Sequence, residues 1–136
     1  ALASFKFKTA NLVFFSYGYN GVSLSPSNPN LPPIKISQIK NPTDTALFAD
    51  AAQVNDFQSP ASPSNPMLEE WYYLDNPTNT SSAHYYPHGH FRHSQKANVV
   101  FCDGRVGSEN FVPGSIDPKL PSQFVGRFRP EILPKP

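Results

Sequence analysis

Sixteen prolines in a chain of 136 residues constrain the fold more than any other feature of this sequence. Proline has no backbone N–H and holds φ near −65°, so it breaks helix interiors and is confined to strand edges and turns. Long helices are therefore not expected. The apolar 38% of the chain is carried largely by 11 Phe, 6 Tyr and 1 Trp, residues that suit pleated, half-buried surfaces. We expect an α+β fold that is mostly β, with long proline-rich loops and at most one or two short helices. At this length the chain fits a single domain, residues 1–136, able to bury about two-thirds of its unfolded surface.

The formal net charge of +1 gives no electrostatic reason to expect nucleic acid or an anionic membrane as partner. The basic stretches "FKFK" and "GRFRPEILPKP" read as solvated edges. No apolar run is long enough to span a bilayer, and no leader-like segment opens the chain. The expectation is a soluble form, or one whose anchoring segment has been removed. Cys102 is the lone cysteine, which excludes an intramolecular disulfide and a multi-cysteine zinc site; it reads as a small buried hydrophobe.

Residues 1–21 form a first strand region, with Phe15, Tyr17 and Tyr19 on one face and a turn signal at Asn20-Gly21. Loop chemistry fills 22–33, and "IKISQIK" alternates. "TALFADAAQVN" fits a helix opening at Asn41-Pro42 or a buried strand ending at Asp50, and periodicity does not choose. Asn65-Pro66 resembles a cap with proline at the first helical position, so "MLEEWYYLDN" is expected to be a helix of about two turns with Trp71 and Leu74 facing inward. Residues 76–96 make a polar and aromatic excursion, and loops that long usually carry function. "ANVVFC-DG-RVGSEN" reads as a β-hairpin within 93–110, closed by a two-residue Asp103-Gly104 loop. That register puts Cys102 opposite Arg105 and Phe101 opposite Val106. Ala97, Val99, Phe101 and Val106 then form an apolar face, and Asn98, Val100, Cys102 and Arg105 a mixed one. The tail, 113–136, should run over the surface in extended form.

His84, His88, His90 and His93 fall within ten residues, with spacings open to a transition metal. Proline and glycine stand where a zinc motif would place further ligands. Asp50 and Asp103 are hard oxygen donors suited to calcium, although no Asp-x-Asp-x-Asp run supports it. No Gly-x-Ser-x-Gly elbow surrounds any serine, and Asp103 beside Cys102 disfavours a thiolate for a Cys102–His93 dyad. Paired carboxylates for glycoside cleavage would come from Asp50, Asp56, Glu69, Glu70, Asp75 and Asp103, with no pattern to select among them. The expectation is no enzyme and no cofactor.

His93, nine residues, then Asp103-Gly104 resembles the signature of the prepilin-type processing-associated H-x(9)-D-G proteins, which are pseudopilin-like proteins of planctomycetes, verrucomicrobia and their relatives. "RHSQKANVVFCDGRV" is similar to the family's "RH…ANVxFxDGHV", "SYGYNG" to its "SYxxN", and "IKISQIKNPTDTALFAD" to its "I…P-S/T-E/D-T-x-x-F-x-D". The three segments cover about a third of the chain in the family's order. Arg105 departs from the usual histidine, on the hairpin's mixed face where it should be tolerated. The family's basic leader, processing site and long apolar helix have no counterpart here.

The resemblance implies a pilin-like globular head with an antiparallel sheet that would pack on the family's N-terminal helix, and residues 45–50 as a strand ending at Asp50. It implies pilin-like subunits as homo- or hetero-oligomeric partners, a precursor with an apolar N-terminal helix, and a place outside the cytoplasm, at the cell surface, in a filament or in the periplasm. The signature residues His93, Asp103 and Gly104, with Asp50 as a neighbour, are expected to be structural: His93 would hydrogen-bond toward the turn, Asp50 or a nearby carbonyl. The family's name refers to genomic association and assigns the histidine no catalysis. The second reading is a carbohydrate- or surface-binding β module using Trp71, Tyr72, Tyr85, Tyr86 and His88. The third is a metallohydrolase built on the histidines. Asn79, in "NTS", is a candidate glycosylation site.

Overall fold

The computed structural model describes residues 17–20, 24, 34–75 and 88–134. Eight strands lie in this part: β1 (Tyr17–Asn20), β2 (Ala46–Asn55), β3 (Met67–Glu70), β4 (Tyr73–Leu74), β5 (His88–His90), β6 (Lys96–Phe101), β7 (Val106–Asn110) and β8 (Val125–Gly126). The ten-residue β2 is the spine of the sheet. Its first half pairs with β1 on one side and β6 on the other; its second half pairs with β3 and β5. β7 extends the first half beyond β6, β4 extends it beyond β1, and β8 extends the second half beyond β5. The ladders are antiparallel except β1 with β4, which run parallel, so the sheet is mixed rather than purely antiparallel.

The run "ALFADAAQVN" lacks alternation because β2 is covered on both faces along most of its length, and such strands read as continuous apolar runs. A β-bulge between Ala46 and Phe48 inserts Leu47 and re-phases the strand. Ala46, Ala49 and Ala51 therefore share the core face. Small alanines on the spine leave room for Phe91, Phe101 and Phe128, all fully buried. Phe91 and Phe128 tilt against each other with centroids 5.0 Å apart. Each ring contributes about 1.5–3 kcal/mol by burial. Ala52 and Val54 turn to the opposite face and pack with Leu68 and Val125 in a second cluster.

Several sequence expectations change. β2 does not end at Asp50 but runs five residues further, to Asn55. The expected helix over 67–76 is instead β3 and β4, because pairing with β2 and β1 outweighs the capping signal at Asn65-Pro66; Leu74 is nevertheless buried. "IKISQIK" contains a 3₁₀ turn, Ile36–Gln38. Two more such turns, Pro121–Gln123 and Pro130–Ile132, and a helical Leu24 complete the helical structure of the described residues. The tail from 113 is no surface wrap: Phe128, Ile132 and Leu133 sit in the main core.

The hairpin forms, with a register one residue away from expectation. Val100 pairs with Val106 and Val99 with Gly107, while the Phe101 N–H donates to the Arg105 carbonyl at 2.8 Å. The loop thus has three residues, Cys102-Asp103-Gly104, closed by Gly104 at φ 88°. Asp103 has no positive φ, which excludes the two-residue type I′ turn and leaves the three-residue form with a left-handed glycine. The slip moves Val106 to the outer face, where it is 69% exposed. Arg105 comes to lie over the Phe101 ring, 3.9 Å from its centroid.

Candidate functional site

On the β6/β5 side of the spine, Ala49 faces Val99 and Ala51 faces Gly89. Asp50 stands between these two pairings, and the loop from β5 to β6 runs past it. That loop contains the histidine of the signature. Its tip is a two-residue turn in which the His93 and Lys96 backbones exchange hydrogen bonds of 2.9 and 3.1 Å. Ser94 and Gln95 both hold positive φ, 53° and 63°. The left-handed pair expected at Asp103-Gly104 is found here, on two residues that suit it less well.

Asp50 is fully buried. Its Oδ1 accepts a hydrogen bond of 2.6 Å from Arg92 Nη2, and its Oδ2 accepts one of 2.7 Å from the Asn98 backbone N–H. Arg92 Nη1 reaches Glu70 Oε1, on β3, at 2.5 Å. One guanidinium and one carboxylate therefore tie β2, β3, β6 and the loop together at the point where the spine changes neighbours. Charge-assisted bonds of this length are the strong ones, and removing one partner of a buried pair leaves an uncompensated charge. His93 stands at the rim, 48% exposed, with Nε2 3.2 Å from Asp50 Oδ2. The same nitrogen is 3.4 Å from Arg92 Nε. It can donate to the carboxylate or accept from the guanidinium, one at a time.

At the far end of β6, six residues or ~20 Å away, Asp103 and Gly104 make the hairpin turn. Asp103 Oδ1 accepts from the Arg105 N–H at 3.0 Å. The Asp103 and Cys102 N–H groups donate to the Pro42 and Thr45 carbonyls. The two halves of the signature thus fasten opposite ends of one strand. Asp50 and Asp103 share no calcium site, and His93 and Cys102 form no dyad. Cys102 is buried, and burial followed by the Asp103 charge pushes its thiol pKa up.

No family model, no curated protein and no solved structure matches the chain. The chemistry of the site therefore rests on its geometry.

Among the described residues the histidines make no metal-holding group. His88 and His90 lie in β5, buried, rather than in a loop. Gly89 separates them because a Cβ there would fall 2.7 Å from the Phe128 ring. His90 is held neutral, its pKa lowered to about 4 by burial first and the Arg92 charge second, with the Gln123 backbone opposing. Among the described residues no group of three or more His, Cys, Asp or Glu side chains is placed to hold a metal ion. His84, Tyr85, Tyr86 and Asn79 lie outside the described residues. Trp71 and Tyr72 stack at 5.6 Å and 22°, and Tyr72 is 52% exposed.

Two arginines escape the sequence reading, and one of the carboxylates it left unranked stands out. Arg92 is the centre of the site, and its signal was the arginine preceding His93 in "FRHSQ". Glu69 is a second buried carboxylate, accepting from Gln53 Nε2 at 2.7 Å and Asn55 Nδ2 at 2.8 Å. Arg129, expected to be a solvated edge, pairs two-pronged with both Asp44 and Glu109. Its bonds hold the Asp44 pKa below the usual carboxylate range.

Proposed function

We propose that the chain is the globular head of a non-enzymatic, pilin-like subunit of the H-x(9)-D-G type, working by assembly outside the cytoplasm. The observation that carries this reading is an apolar row on the outer face of the first half-sheet. Tyr19, Phe48, Val100 and Val106 lie side by side across β1, β2, β6 and β7. Phe48 is 40% exposed, and Tyr17 is exposed in the next row. This is the surface on which an apolar helix of a pilin-like subunit would rest. The signature supports the same reading: Asp50 accepts from Arg92 and the Asn98 N–H, and Asp103 and Gly104 close the hairpin turn, the contacts a fastening role calls for. A photo-crosslinker at Phe48 in material from the native source should capture an apolar helix, beside filaments in electron micrographs. Capture no greater than from Ser122, with only dispersed monomers, would contradict it.

A second reading keeps one specific observation. The exposed Tyr72 ring, stacked on Trp71 next to Glu70, offers an aromatic surface with a polar rim of the kind that sugars occupy. Affinity electrophoresis against polysaccharides should then show retardation that Tyr72→Ala removes; unchanged mobility on every polysaccharide discards it.

A further inference from the structure

We propose that β7 is a self-association edge through which two copies of this chain join antiparallel, continuing the sheet across a two-fold axis at Ser108. The inference rests on backbone geometry and does not depend on the pilin-like reading.

The Phe101 N–H donates to Arg105 on the β7 side. Backbone groups alternate along a strand, so Val99 and Ala97 also face β7, and Asn98 faces β2, as its bond to Asp50 shows. Across the register, Gly107 and Glu109 use their backbone groups toward β6. Val106, Ser108 and Asn110 therefore aim both N–H and C=O away from the sheet, and all three are exposed. Among the described residues none of these groups takes part in a hydrogen bond.

Natural sheets blunt such edges with very short strands, proline, lysine, bulges or a covering segment. The other terminal strands of this sheet follow that rule: β4 and β8 have two residues each, and β3 is largely buried. β7 carries one device, an inward-pointing charge at Glu109, and Arg129 takes that charge up; "VGSEN" has no proline or lysine, and its pairing with β6 is unbroken over five residues.

The edge also fits itself. An antiparallel copy centred on Ser108 places Ser108 against Ser108, and Val106 against Asn110, with every outward N–H meeting an outward C=O. Two serine hydroxyls facing each other are a favourable cross-strand pair. Glu109, the strand's charge, falls opposite Gly107 rather than its own copy, so no like charges meet. Glu109 is already held by Arg129 on the core side. The contact is small, which places it among weak, concentration-dependent associations. The surface accepts a second copy in one register and closes after two, because the edge is consumed.

Sedimentation velocity from micromolar to millimolar protein reads the association directly. The wild-type chain is expected to shift reversibly from monomer to dimer. Ser108→Pro removes an N–H that β6 does not use, so the fold should persist while association weakens at least tenfold. Ser108→Lys, which sets two cations face to face and needs no backbone change, should do the same if proline disturbs the hairpin. Ser108→Cys under mild oxidation should give a covalent dimer, against a background set by Glu131→Cys. A chain that stays monomeric at every concentration overturns the proposal. So does a dimer that Ser108→Lys leaves intact, or Ser108→Cys cross-linking no better than Glu131→Cys.

Discussion

Two arginines in this molecule each bridge two carboxylates, and they do different work. Arg92 spans Asp50, fully buried, and Glu70, nearly so. Arg129 spans Asp44, a third exposed, and Glu109, less exposed but still within reach of solvent. The bond lengths are similar, so geometry alone does not separate them. Burial does, because water can replace Arg129 for its partners and cannot reach Asp50. The difference teaches where the fold is fastened: at the change of neighbours along β2, rather than where the tail meets the hairpin.

The largest expected effect breaks the buried cluster. Arg92→Met should cost about 3–5 kcal/mol in urea unfolding, since it strands two buried carboxylates. Next comes pH. His90 is neutral in the fold, its pKa moved from the ordinary 6.5 to about 4, so the unfolded chain binds its proton first. Its contribution is fully present above about pH 6.5 and is lost as pH falls toward 4, a loss of up to ~3 kcal/mol. Asp44, with its pKa lowered chiefly by the Arg129 hydrogen bonds, behaves differently. Its contribution stays above the ordinary carboxylate range and disappears only as pH falls through its depressed pKa. At pH 5 the β5 region should therefore weaken first, and histidine NMR titration against melting curves reads this out.

The mostly β character was legible from proline and aromatic content, and the existence of the hairpin from Asp-Gly between apolar runs. The strand character of 67–74 was not, because a local cap signal competed with pairing that only the tertiary structure reveals. The hairpin register was missed for a similar reason: Asp103-Gly104 serves two- and three-residue loops alike, and anchoring of Cys102 and Asp103 to the Thr45 and Pro42 carbonyls favours the longer one. Asp50 and His93 lie together, Asp50 being one of the three partners the sequence left open for the histidine. Their strongest partner, Arg92, was overlooked because a charged residue in a polar stretch looks solvated until its neighbours across the sheet are known.

Smaller effects sharpen the contrast. Gln95→Gly relieves a left-handed non-glycine residue at the loop tip and should raise stability by about 1 kcal/mol. Arg129→Met should cost less than ~1 kcal/mol, and less again in molar salt. His93→Ala should cost only about 0.5 kcal/mol, because the ring is half-exposed and Asp50 keeps its other partners. A lost activity at unchanged stability would instead give the histidine a chemical role.

The unfolding free energy of Asp50→Ala, measured beside that of Asp44→Ala, tests the central claim most directly. A buried fastening at Asp50 predicts a loss of about 3–5 kcal/mol for the first and about 1 kcal/mol or less for the second. Equal losses, or an Asp50→Ala midpoint indistinguishable from the parent chain, would contradict it.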